Sequence, residues 1–278
     1  MQNNSSPNPA PQKEKALVIF SGGQDSTTCL YWAKAQGYDV HTLSFDYGQR
    51  HAIELQAAKK VAAFAGIAED KQGVCQITDV LLSTSPLTSE VEPEQFASPE
   101  DLPQSGVQNT FVPMRNQLFL TIAANRAYAL NCRVLITGVS QADYGGYPDC
   151  RENFIKAFET TCNLGTFTGE PGTLGNLQVL TPLMHLSKAQ EVLMSYELKD
   201  CFAALAWSHT AYDGQYPPVG HDHANVLRAK GFAQAGLPDP LVLRAHQEGL
   251  MPLPETDNYK DEVVAKVRQV LEQSRWLG

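Results

Sequence analysis

The chain has 278 residues, with 21 Lys and Arg against 30 Asp and Glu, for a formal charge of −9. Hydrophobic residues make up 43% and charged residues 18%, a globular composition. A chain of this length buries roughly three quarters of its unfolded surface, so it needs no disulfide or metal staples. No apolar run approaches the ~20 residues of a bilayer-spanning helix. The acidic balance argues against a bulk nucleic-acid binder, which needs clustered Lys and Arg. Cys29, Cys75, Cys132, Cys150, Cys162 and Cys201 are scattered with no Cys-x-x-Cys pair, and residues 1–15 lack the apolar core of a secretory signal. Reduced thiols in a cytoplasmic protein, behind a disordered tail at residues 1–15, are therefore expected.

In chain order, Ala16 to Phe20 is a continuous apolar run, as in a parallel strand buried on both faces. The turn Ser21-Gly22-Gly23-Gln24-Asp25-Ser26 follows, then a helix from Thr27 to Gln36. A strand is expected over 40–45, a helix over 52–64 and a weaker strand over 74–77. Residues 82–108 are rich in Ser, Pro and acidic residues without periodicity, so they read as an active-site lid or a solvated insertion. A helix is predicted over 116–130, a strand over 134–137, a loop over 138–149 and a helix over 151–163. A Gly-rich hairpin-like stretch over 165–175, a strand over 178–180 and a helix over 187–196 complete a doubly wound, mostly parallel α/β domain at 16–206. Residues 207–278 form a small appendage: a His-rich loop, a helix over 226–235, and an amphipathic helix over 259–276 that docks on the body or on a second subunit.

The glycine turn carries the chemistry. Gly22 and Gly23 let the backbone turn sharply between a strand and a helix start, whose free N–H groups and dipole favour an anion. It lacks the Lys-Ser/Thr end of a Walker A loop. The competing reading is a plain strand–turn–helix joint without a ligand.

Beyond this, the Ser-Gly-Gly-x-Asp-Ser pattern resembles the pyrophosphate loop of the N-type ATP pyrophosphatases, which share an adenine nucleotide α-hydrolase-like fold. Four further blocks follow in order: Phe45 to His51, Asn109 to Asn116, Gly145 to Arg151 and Thr181 to Lys188. Together the five are similar to the 7-cyano-7-deazaguanine synthase family over roughly Ala16 to Pro240. The resemblance implies an ATP-dependent ligase of queuosine biosynthesis. It would convert 7-carboxy-7-deazaguanine and ammonia to the nitrile through an adenylated acid and an adenylated amide, and would act as a homodimer. With no glutaminase domain in the chain, free ammonia is the expected nitrogen source.

The same resemblance distributes roles. Ser21, Gly22, Gly23, Gln24 and the Ser26 hydroxyl would cradle pyrophosphate, and Asp25 would hold Mg²⁺ or orient the loop. Arg115 and Lys188 would neutralise phosphate. Asp143 or Asp149 would accept paired N–H bonds from the guanine-like edge, with helix capping the alternative for Asp149. Tyr144 and Tyr147 would stack on the base or pack the protein, and Arg151 would pair with the substrate carboxylate or cap the loop. Arg50 and His51 divide between ligand contact and helix start. The family's tail carries four cysteines on structural Zn²⁺. Counting back from Val226-Leu227-Arg228, those positions here hold His209, Val219, Asp222 and Asn225, which excludes a four-thiolate site. Either His209, His221, Asp222 and His223 form a nitrogen and oxygen site, or the loop is metal-free. The altered tail also leaves open an enzyme that joins the acid to another amine, or a non-catalytic nucleotide binder.

Overall fold

The computed structural model describes residues 13–47, 53–78, 80–81, 85–86, 94–96, 98, 101, 106–141, 146–198, 200–209 and 215–274. Five strands, β1 (Lys15–Ile19), β2 (Asp39–Asp46), β3 (Gln72–Gln76), β4 (Val134–Ile136) and β5 (Gln178–Leu180), pair in parallel in the order β3-β2-β1-β4-β5. β1 is central, with Ala16 beside both Val40 and Val134. Its alternate side chains feed two cores, as a strand buried on both faces must. Ala16 and Val18 pack with Leu30, Val61 and Ala62 from α1 (Gln24–Ala35) and α2 (Ile53–Phe64). Leu17 packs on the other face with Leu120, Ala123 and Phe158 from α3 (Arg115–Ala129) and α4 (Glu152–Gly165).

The chain runs outward from β1 through β2 to β3, then returns through α3 to β4 on the far side of β1. Connections thus leave β1 and β4 in opposite directions and open a crevice at their carboxyl ends, the usual ligand position in such sheets. The glycine turn follows β1 there. Gly138, after β4, lies so close that a Cβ on it would stand 3.1 Å from the Asp25 carbonyl carbon.

A third core joins α5 (Lys188–Glu197) and α6 (Cys201–Ala204) to α7 (His223–Ala235), α8 (Pro240–Gln247) and α9 (Asp261–Gln273). Val264, Val267 and Leu271 of α9 lie buried against Val192, Phe202 and Phe232, so the amphipathic tail helix docks on its own chain.

Two helices begin three residues before the positions expected from sequence. α1 starts at Gln24, because the polar first turn is buried against the loop, and α7 starts at His223, capped by Asp222. α6 and α8 were not foreseen. Asp239 caps α8 and Pro240 occupies its first position, where a missing N–H costs nothing. Between Gly165 and Gly175 no strand forms; backbone bonds from Gly169 N to Leu174 O (3.0 Å) and from Thr173 N to Glu170 O (2.9 Å) close that turn. Most of 82–108 lies outside the described residues, but Gln95 and Phe96 reach the tail: Phe96 N donates to His221 O (2.8 Å). All six cysteines are free thiols. Among the described residues, no helix is long and apolar enough to cross a membrane. The tail expected at 1–15 falls almost wholly outside the described residues.

Candidate active site

Gly22 holds φ at +80°, and a Cβ there would lie 2.5 Å from the Ala58 amide nitrogen, so only glycine fits this turn against α2. The loop is braced from within. Ser21 N donates to Ser26 Oγ (3.2 Å), Gly23 N donates to Ser21 Oγ (3.3 Å), and the two hydroxyls meet at 3.1 Å. It is also braced from the tail, where His209 N donates to Gly22 O (3.0 Å). The amides of Gln24, Asp25 and Ser26 occupy the first turn of α1, positions with no acceptor inside the helix. They are the donors left for an anion.

The turn opens on a cavity of about 530 Å³, within the size range of small-molecule sites. Ser21, Gly23, Gln24, Asp25 and Ser26 line it, and so do Arg115, Tyr147, Arg151 and Lys188. These nine residues, taken from four separate sequence blocks, are brought together. Gly22 instead turns its backbone to Ala58 and His209. Asp149 is buried behind the wall, and Asp143, Tyr144, Arg50 and His51 lie outside the described residues.

Lys188, the first residue of α5, is buried between two carboxylates, 2.8 Å from Asp25 Oδ1 and 2.9 Å from Glu191 Oε2. Burial alone would raise the Asp25 carboxyl, but the Lys188 charge and its hydrogen bond outweigh it and hold Asp25 below the usual range. Asp25 therefore stays ionised. Its oxygen donor suits a hard cation carried by phosphates.

Arg115 opens α3 after Met114, which sits in the left-handed region at φ 62°. Its guanidinium donates to the Tyr47 hydroxyl, which burial pushes up to about 12. Glu54, in the first turn of α2, faces the same cavity; burial raises its carboxyl to about 7, against the pull of Arg115. Phe119 stacks on Phe45 at 4.2 Å and gives this end a flat aromatic wall. Tyr47 and Asn116 lie within the motif blocks without a role assigned to them, whereas Glu54, Phe119 and Glu191 fall outside the blocks. Of those three, Glu191 carries a local signal, standing three residues after Lys188 on a helix face.

At the other end, Asn116 Nδ2 donates to the Asp149 carbonyl (3.4 Å) and Cys150 Sγ (3.3 Å), pinning the turn Pro148–Cys150. Tyr147 Oη meets Thr110 Oγ1 at 2.5 Å, and its ring tilts against Phe111. Asp149 does not cap α4, whose cap position belongs to Arg151. Among the described residues its Oδ1 has no hydrogen-bond partner, and burial raises its carboxyl despite the Arg115 charge.

The donors named for a tail zinc site are engaged in separate contacts. Asp222 caps α7 through Oδ1 from Asn225 N (3.0 Å), and its Oδ2 accepts from Asn225 Nδ2 (3.0 Å). His223 packs edge-on to Phe96, and His221 is joined through its backbone to Gln95 and Phe96. Among the described residues, no three potential ligands converge on one point, His209, His221, Asp222 and His223 included. The tail is instead tied by Arg228, whose Nε and Nη2 pair with Asp239 at 2.6 and 2.8 Å while Nη1 donates to Ser208 (2.8 Å).

Fold and site together define a nucleotide-binding α/β protein whose anion loop opens on a ligand-sized cavity. Residues 15–236 match the family described as "Queuosine biosynthesis protein QueC", and the chain belongs to that family. A 7-cyano-7-deazaguanine synthase of Chromobacterium violaceum is 48% identical over 239 residues, covering 84% of this chain and 96% of the relative. A protein of the same name from Laribacter hongkongensis is 47% identical over 83% of this chain and 95% of its own. Among solved structures, NMN synthetase from Francisella tularensis aligns at a TM-score of 0.38 and 13% identity, covering 95% of this chain and 86% of that one. That distance carries no weight for function.

Proposed function

We propose that this chain is an ATP-dependent ligase that converts 7-carboxy-7-deazaguanine and ammonia to 7-cyano-7-deazaguanine, releasing AMP and pyrophosphate. The observation that carries the reading is the convergence of the braced glycine turn, Asp25, Arg115 and Lys188 on one cavity, in a member of a family whose relatives bear that activity in their names. Hydroxide and an amide oxygen are poor leaving groups; transfer of AMP to each oxygen makes it a good one. The chain must hold the α-phosphate against the carboxylate at attacking distance and neutralise charge growing on phosphoryl oxygens.

In this reading the first-turn amides of α1 bind pyrophosphate, with Gln24 and Ser26 beside them. Asp25 would hold Mg²⁺, which takes a protein carboxylate plus phosphate oxygens and adds positive charge at the reacting phosphate. Arg115 binds phosphate through its planar fork. Lys188, already held by Asp25 and Glu191, fixes the Asp25 carboxylate and shares its charge with the phosphates. Tyr147 and Arg151 border the deazaguanine end, and the unpartnered Oδ1 of Asp149 is an acceptor for the base's N–H groups once the turn opens toward it. Asp143 and Tyr144 would act on the same base. The protein works in the cytoplasm as a homodimer, with 16–206 as the catalytic unit and 207–278 as its appendage, and without tail zinc.

A mass-spectrometric assay with the acid, ATP, Mg²⁺ and ammonium tests the reading. Nitrile with free ammonia is expected. AMP release only with another amine would mark a transferase, and no AMP at all a binding protein.

A further inference from the structure

We propose that the Glu54 carboxylate is a catalytic residue that takes the proton from nitrogen in both nitrogen-handling steps; this rests on the ligase reading above. Its position comes from the helix it rides on. Glu54 stands four residues before Ala58, the residue whose backbone abuts Gly22, so both share one face of α2. Four residues, about 6 Å along the axis, separate them. The Glu54 side chain thus projects beside the phosphate loop, where an acyl adenylate would form.

Among the described residues lining the cavity, the carboxylates are Asp25 and Glu54. Asp25 is tied to Lys188 at 2.8 Å, whereas Glu54 has no hydrogen bond or ion pair with any described residue. Among the described residues, two groups face it, the Arg115 guanidinium on α3 and the Tyr47 hydroxyl after β2. Arg115 also donates to Tyr47, and both remain donors throughout the working range.

The chemistry needs such a group for three protons, one in forming the amide and two in dehydrating it. Ammonia attacks the acyl adenylate, a C–N bond forms, the C–O bond to AMP breaks, and nitrogen sheds one proton to leave the amide. The amide oxygen then attacks the α-phosphate of a second ATP, displacing pyrophosphate, as one N–H proton leaves. The resulting imidate breaks its C–O bond to AMP, and its last N–H proton departs as the triple bond closes. Each proton passes to Glu54 and from there to solvent. A carboxyl raised to about 7 by burial is matched to this task near neutral pH.

The test separates adenylation from nitrogen chemistry. Acid-dependent exchange of labelled pyrophosphate into ATP, without ammonia, reports the first; amide and nitrile formation with ammonium report the second. In Glu54→Gln, exchange should persist while nitrile formation falls by about 10²- to 10⁴-fold. Glu54→Asp should restore part of it, and the wild-type acidic limb near pH 7 should vanish in Glu54→Gln. Nitrile formation at the wild-type rate in Glu54→Gln would overturn the inference and leave the ligase reading standing. A parallel loss of exchange in both variants would overturn it too, by assigning Glu54 to ATP binding or folding. Wild-type protein without exchange would overturn the ligase reading itself.

Discussion

The carboxyl edge of the sheet and the tail both gather charged side chains, yet they treat them in opposite ways. At the edge, donors and acceptors are held but left usable: first-turn amides on α1, Glu54 without a hydrogen bond to any described residue, and Asp25 reaching the cavity while gripped by Lys188. In the tail the buried Arg228 and Asp239 are consumed by one another and by their neighbours. Arg228 spends its guanidinium on Asp239, Ser208 and the Leu205 carbonyl (3.3 Å), Asp239 also caps α8, and Tyr259 Oη accepts from Asp239 N (3.1 Å). Polar groups that must meet a ligand are positioned and kept open, whereas polar groups that staple a fold are saturated.

The largest effect should come from breaking the saturated side. Asp239→Ala leaves Arg228 buried without its counter-charge and should destabilise the fold by about 3–5 kcal/mol, read from urea or thermal unfolding. On the open side, Asp25→Asn should lower turnover about 10²- to 10³-fold, some 2.7–4 kcal/mol of transition-state stabilisation. Its unfolding midpoint should move less than that of Asp239→Ala; an equal shift would erase the contrast between the two regions. Gly22→Ala sharpens the picture at their junction. The added methyl meets the α2 backbone, and overpacking should cost about 1–3 kcal/mol of stability together with weaker pyrophosphate exchange. The smallest change is expected at Asp222→Ala, about 1 kcal/mol for a lost cap. Chelator should leave the melting temperature of wild type and variant unmoved, since no three ligands converge there.

The open region was far more legible in the sequence than the saturated one. A continuous apolar strand, two glycines and a polar helix start are local signals, and the five motif blocks carried the family with them. Even there the helix starts three residues early, because Gln24, Asp25 and Ser26 read as loop until the burial of Gln24 and Ser26 is seen. Glu54 escaped because an acid in a first turn reads as a complement to the helix dipole. Contacts between distant residues left no local trace: Lys188 meets Asp25 across 163 positions, and nothing near Arg228 foretells Asp239. The His-rich stretch misled in the other direction. Three imidazoles close in sequence resemble a ligand set, but one enters a helix, one bridges a loop and one lies against the phosphate turn. Asp-Pro at 239–240 was a readable helix start that went unread.

The bond from His209 N to Gly22 O joins main chain to main chain. An amide and a carbonyl belong to almost every amino acid, so this latch does not depend on which side chain occupies position 209. A thiol could give way to an imidazole there without loosening the grip on the nucleotide end. Proline, which has no amide hydrogen to give, is the one residue that would undo the latch outright.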